Sequence, residues 1–331
     1  MRNLLTDVPG LTVGHATDLV LGSGATVVLC DPPAVAAVDV RGGSPGTRET
    51  DLLDPSASVA HVDGIVLSGG SAFGLDAASG AMAWLAAQGR GYKVRSVRVP
   101  IVPSAILFDL LNGGQKDWGT EPPYRALGLA AAHAASRDFA LGSVGAGTGA
   151  TTARVKGGLG SASARSPSGH MVGALVAVNA VGCPLLGRGP HFRAAPFERH
   201  AEFGGLGLPV PLAADAGAIH VKGSEPRMAT TLAVVATDAM LTGGQARHFA
   251  VMAQDGLAMS LFPVHTPLDG DCVFALATER VPLAHPLPDL LGIGATAALV
   301  LARAVARAIY EATTLPYAGA QPAWRDVFAP R

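Results

Sequence analysis

KGSEPRMATTLAVVATDAML, residues 222–241, decides how the fold of this chain is read. Its first half is polar and holds a proline, as a loop does. From 231 to 239, TLAVVATDA is an apolar run of strand length, rich in Val, Leu and Thr and suited to burial on both faces. Two hydroxyl residues, Thr230 and Thr231, stand where loop meets strand. By residue type alone, a threonine pair there reports only good β-propensity.

Four further runs of the same kind lie along the chain: ATVVLCD (25–31), DGIVLSG (63–69), GALVAVNA (173–180) and CVFALAT (272–278). Between them are Ala-rich stretches of helical length at 74–89, 124–135, 243–261 and 294–312, each with a broad face of small or apolar residues. Strands buried on both faces need cover, so helices packed outside sheets that also pack on each other are the economical arrangement, a layered α/β sandwich. Periodicity does not fix strand order, and a doubly wound sheet stays open. Gly and Pro punctuate the whole chain without forming a linker, and no period of 20–50 residues repeats, so one domain over 1–331 is expected.

Bulk properties narrow the function. Apolar residues make up 49% of the chain, and 24 basic side chains nearly balance 25 acidic ones, so no basic stripe points to nucleic acid. Asp7 and Pro9 interrupt the N-terminal apolar residues before a signal-peptide core can form. The run LLGIGATAALVLA (290–302) is shorter than the about 20 residues that a spanning helix needs, and reads as a core helix. Neither export nor a membrane is expected. Cys30, Cys183 and Cys272 are far apart and without CxxC spacing, which suits small buried residues in a reducing, cytoplasmic compartment. His191 and His200, the nearest approach to a cluster, lack HExxH or similar spacing, so no metal or other cofactor is expected.

Two glycine-rich stretches fail as sites. GAGTGA (145–150) brings its third glycine one position early for a dinucleotide loop, and no G-K-[ST] follows. LSGGSAFG (67–74) has Phe73 where a nucleophile elbow around Ser71 needs glycine, and reads better as a turn into a helix.

Nearly the whole chain resembles the family of L-aminopeptidase/D-esterases, β-peptidyl aminopeptidases and nylon-oligomer hydrolases. The resemblance is carried, in order, by LTDVPGLTVGHATD (5–18), VDVRGGSPGTRETDLL (38–53), DGIVLSGGSAFGLDAASG (63–80), VPIVPSAILFDL (99–110), GSVGAGTGATTARVKGGLGSAS (142–163), LVAVNAVG (175–182), TTLAVVATDA (230–239) and HTPLDGDCVFALAT (265–278). It implies an α/β fold, a four-layer αββα sandwich of the N-terminal-nucleophile hydrolase type. It also implies a chain that cuts itself between Ala229 and Thr230, leaving interwoven fragments 1–229 and 230–331. Relatives often carry Asn or Gly before the cut, where this chain has Ala229. MATTLAVVATDA is also similar to the cleavage segment of ornithine acetyltransferases, which supplies an alternative: acyl transfer by the same threonine. A third reading keeps the fold as a non-catalytic binding protein.

The chemistry accounts for the cut. A threonine hydroxyl is a weak nucleophile that needs a base, and cleavage would free the Thr230 α-amine, whose reference pKa is about 7.7–8.0. By resemblance, Lys156 lowers the nucleophile's pKa or binds the oxyanion, with Arg154 as the competing assignment. Asn179 donates to the oxyanion, and Asp269 and Asp271 orient the Thr230 ammonium. Their alternate spacing places both carboxylates on one face if the strand begins there. The aminopeptidase branch holds a substrate's free amine with an acid, but VPSAILFDLLNGG (102–114) looks more like the corresponding segment of the nylon-oligomer branch, and Asp109, its only acid, is the candidate for substrate binding. The expected substrates are short peptides, amino-acid amides or esters, or ω-amino-acid oligomers. A homotetramer is expected by resemblance.

Overall fold

The computed structural model describes residues 1–223 and 228–328. In chain order the strands are β1 Leu11–Asp18, β2 Ser23–Val40, β3 Thr47–Arg48, β4 His61–Ser68, β5 Tyr92–Val94, β6 Val97–Val99, β7 Ser104–Ile106, β8 Gly158–Arg165, β9 Met171–Asn179, β10 Thr230–Ala239 and β11 Cys272–Val281. The helices are α1 Ala77–Ala87, α2 Tyr124–His133, α3 Gly243–Ala258, α4 Pro286–Tyr310 and α5 Trp324–Phe328. Hydrogen bonds order the main sheet β3-β7-β4-β2-β11-β10-β9-β8, with β1 also on β2, while β5 and β6 form a separate hairpin.

The unusual length of β2 makes four layers out of this one hydrogen-bonded path. Residues 25–29 and, past the corner, Ala34 and Val35 pair with β4, while residues 35–40 pair with β11; the register on β4 shifts between Leu29 and Ala34, at the exposed Asp31-Pro32-Pro33 corner. Before the corner, Ala25, Val27 and Leu29 pack with α1 and α2, while Val28 and Cys30 point inward. After it, Ala34, Ala36 and Val38 point inward, and Val35 and Ala37 join the cluster under α3 and α4. The inward residues of both halves share one core with Leu175, Leu232, Val234 and Phe274. The layers therefore run α1/α2, then the β1–β4 half, then the β8–β11 half, then α3/α4. The expected αββα sandwich is observed.

All five apolar runs are strands, β10 lying between an antiparallel β9 and a parallel β11. β8, GLGSASAR, was not expected, because it is built of small residues. The reason is close packing: a Cβ on Gly160 would sit 1.9 Å from the Ala304 carbonyl oxygen, so α4 lies directly on this strand. Helix α4 itself begins earlier than expected and, at 25 residues, is long and apolar enough to cross a membrane by length and composition, yet most of it is buried inside the fold. Its apolarity is that of a core helix.

Phe274 is fully buried between the two β layers. Its replacement by alanine should destabilise the chain by about 3–5 kcal/mol in urea unfolding. A loss below about 1 kcal/mol would contradict its place in that core.

Candidate active site

Thr230 opens β10 directly opposite Asn179, the last residue of β9. Directly opposed residues of an antiparallel pair share a face, so the two side chains are neighbours. That face is the inner one, because Leu232, Val234 and Ala236 continue it into the inter-layer core. The site therefore lies where the two β layers end.

The peptide bond before Thr230 is held as a short parallel bridge between Ala229 and Asp269. The Ala229 N–H donates to the Leu268 carbonyl (3.0 Å), and the Ala229 carbonyl accepts the Gly270 N–H (2.9 Å). The Thr230 hydroxyl donates to the same carbonyl oxygen at 2.5 Å. Both Ala229 and Thr230 are buried. Glycine at 270 is a requirement of space, since a Cβ there would lie 2.7 Å from Thr230 Oγ1 and 2.6 Å from the Ser44 carbonyl oxygen.

Asp269 and Asp271 flank this bridge, both buried. β11 begins only at Cys272, so the two belong to the turn before the strand and make separate contacts. Asp271 accepts the Thr231 N–H (2.7 Å) on one oxygen, and the His265 N–H and imidazole Nδ1 (3.0 Å each) meet the other. Asp269 accepts the Val181 N–H (3.1 Å) on one oxygen, and the Thr266 N–H and hydroxyl (3.0 and 2.7 Å) on the other. Burial pushes the Asp269 carboxyl above its ordinary range, and the neighbouring Asp271 adds to this, against the bonds from Thr266 and Val181.

Asn179 Oδ1 accepts the Thr151 N–H (3.0 Å) and the Lys222 ammonium (2.7 Å), while its Nδ2 donates to the Phe108 carbonyl (2.9 Å). Lys156 is buried, its Nζ donating to the carbonyls of Gly147 (3.1 Å), Ala150 (2.7 Å) and Gly157 (3.1 Å). It braces the loop whose next residue, Thr151, bonds Asn179. Burial pushes the Lys156 pKa down to about 7; Asp109 opposes the fall and Lys222 assists it. The three carbonyl oxygens favour the charged form as well. Arg154, the competing residue, points elsewhere, to the carbonyls of Gly187 and Arg188.

Asp109, expected as a substrate-binding acid, lies inside the fold. Its carboxylate is fully buried, accepting the Ser23 hydroxyl (2.7 Å) and the Gly70 N–H (2.8 Å). Its segment does build the site, through the Phe108 carbonyl and through Asn112, whose Nδ2 donates to the Gly149 carbonyl (2.7 Å). Ser71, at φ 52°, opens a short helical turn after β4, with its N–H on the Leu107 carbonyl. Beside Asn179 opens a cleft of about 490 Å³, lined by Asn112, Thr151, Lys222 and Gln321 among others. The buried Thr151 hydroxyl has no partner among the described residues. Also among the described residues, no group of three or more His, Cys, Asp or Glu gathers as a metal site.

The profile of Peptidase family S58 matches residues 3–321. The chain belongs to this family. An uncharacterized aminopeptidase of Mycobacterium tuberculosis is 44% identical, the match covering 98% of each chain. A 6-aminohexanoate-oligomer endohydrolase of a Kocuria species is 27% identical over 85% of this chain and 77% of its own. Among solved structures, the L-aminopeptidase D-Ala-esterase/amidase of Ochrobactrum anthropi, described as a variant of the Ntn-hydrolase fold, aligns with a TM-score of 0.70 at 20% identity. That alignment covers 97% of this chain and 89% of the other. A β-aminopeptidase of a Burkholderia species gives 0.69 at 21% identity, covering 100% and 95%. This S58 chain is thus a peptide-bond hydrolase with an Ntn-hydrolase-like fold. The acyltransferase alternative draws no support from these comparisons.

Sequence reasoning left out Lys222, Thr151, His265 and the Gly270 N–H. Lys222 lies in the stretch quoted first, but nothing in its spacing shows that the loop turns back to β9. Residues 224–227 of that stretch lie outside the described residues.

The Lys156 environment has a consequence for stability. With a folded pKa near 7 against an ordinary 10.5, the unfolded chain binds more protons at this site between those values. Stability should therefore rise with pH across that window. Lys156→Met should flatten the rise by a few kcal/mol, read as the difference in urea midpoints between pH 7 and pH 10. An unchanged slope would show that the buried ammonium is not depressed.

Proposed function

We propose that this S58 chain is an autoproteolytic aminopeptidase or amidase whose nucleophile is Thr230, acting on short peptides, amino-acid amides or esters, or ω-amino-acid oligomers. The observation that carries the reading is the clamped Ala229–Thr230 bond, with the Thr230 hydroxyl on the carbonyl it would attack and the Gly270 N–H on the same oxygen. In the uncut chain, Oγ1 attacks the Ala229 carbonyl carbon while the Gly270 N–H stabilises the developing oxyanion. The hydroxyl proton passes to the departing Thr230 nitrogen, leaving an ester that water hydrolyses. The freed α-amine, with a reference pKa of about 7.7–8.0, then serves as base for the same hydroxyl.

On an external amide, Thr230 Oγ1 forms the acyl-enzyme, and the α-amine carries the proton to the leaving amine. Asn179 stands across the strand pair as an oxyanion donor. The adjoining cleft, with the Thr151 hydroxyl, unpartnered among the described residues, on its wall, offers room for the substrate. The names of the Mycobacterium and Kocuria relatives support amide substrates, and the sealed Asp109 favours recognition that does not depend on a free amine at that carboxylate. Assembly as a homotetramer and a cytoplasmic location belong to the same proposal.

The test pairs two variants. Thr230→Ala should remain one chain and hydrolyse alanine p-nitroanilide at background rate. Gly270→Ala, by crowding Oγ1 and the turn, should slow self-cleavage by about 100-fold or more, in line with loss of an oxyanion donor. A Thr230→Ala protein that still cuts or still hydrolyses the anilide would refute the assignment.

A further inference from the structure

Lys222 is a buried cation close to the chemistry that the mechanism above does not use. Its Nζ donates to Asn179 Oδ1 at 2.7 Å, and its main-chain N–H donates to the Val181 carbonyl (2.9 Å), two residues beyond Asn179. The loop is thus fixed to the end of β9 at two points. A carboxamide has an oxygen and an NH2 of nearly equal shape, so its orientation is decided by its surroundings. Around Asn179 three groups of fixed role decide it, and the Asn112 Nδ2, held on the Gly149 carbonyl, lies 3.5 Å from Oδ1 on the same side. The ammonium of Lys222 and the N–H of Thr151 can only donate, and the carbonyl of Phe108 can only accept. Flipping the amide would set donors against donors and an oxygen against an oxygen. A cation on Oδ1 also polarises the amide and strengthens its N–H as a donor.

We infer that Lys222 is a positioning residue: with the Thr151 N–H it holds the Asn179 carboxamide oxygen away from the nucleophile, so that Nδ2 is the group presented to the oxyanion. This rests on the reading of Thr230 as nucleophile and Asn179 as oxyanion donor. Because Lys222 precedes the proposed cut, it belongs to the fragment that would end at Ala229.

Asparagine stands at positions 3, 112 and 179 alone, so [15N]asparagine labelling gives three side-chain amide pairs, and Asn179→Ala identifies the one of interest. Wild type and Lys222→Arg, which keeps a cationic donor, should give one sharp Asn179 pair. Lys222→Met should shift it and broaden or double it as both flip states are sampled. The signal can be read on cut or uncut protein, so its outcome is separate from that of the function reading.

On the matured protein, with p-nitrophenyl acetate as probe, Lys222→Met should lower kcat by about 100-fold with KM within about threefold. Lys222→Arg should recover most of the loss. An Asn179 pair unchanged in Lys222→Met, or a loss confined to KM, would overturn the inference and assign Lys222 to substrate binding or packing.

Discussion

Two backbone hydrogen bonds between Ala229 and residues 268–270 fix everything that follows at this site. They hold the peptide before Thr230 extended and place its carbonyl between a peptide N–H and the threonine hydroxyl. They also join the loop before β10 to the turn before β11, the parallel neighbour of β10. The same geometry demands glycine at 270, the residue between two acids that each place one carboxylate oxygen on the 265–266 turn. One acid fixes the Thr231 N–H and the other the Val181 N–H, so the pair secures the start of β10 and the backbone just past the end of β9.

Around that bridge the site is assembled chiefly from backbone groups. Phe108 contributes a carbonyl, Thr151 and Gly270 contribute N–H groups, and Lys156 acts on the carbonyls of the 147–150 loop. The four-layer stack supplies the rigidity this needs. β9 and β10 are buried on both faces, with the inter-layer core on one side and α3 and α4 on the other, so the opposition of Asn179 and Thr230 is set by sheet register.

This division explains what the sequence made legible. Apolar runs such as TLAVVATDA and CVFALAT announce doubly buried strands because only such strands need Val, Leu and Ala without alternation. β8 escaped notice because contact with α4 selects small residues, which read as a turn, and the second half of β2 was hidden behind Pro32 and Pro33 at the layer corner. Thr230, Asn179, Lys156, Asp269 and Asp271 were reached by resemblance, and the fold gathers them at one end of the β layers or in the loops around it. The burial of Asp109 was not legible, because sequence names an acid without showing whether water reaches it. Lys222 was passed over because a loop's return path leaves no periodic trace.

The central claim is that Thr230 becomes a free N-terminus. Intact-mass spectrometry of the purified, denatured wild-type protein, with N-terminal sequencing, tests it most directly. The account predicts two chains, one ending at Ala229 and one beginning Thr-Thr-Leu. A single uncut chain after prolonged incubation, or a cut at another bond, would contradict it.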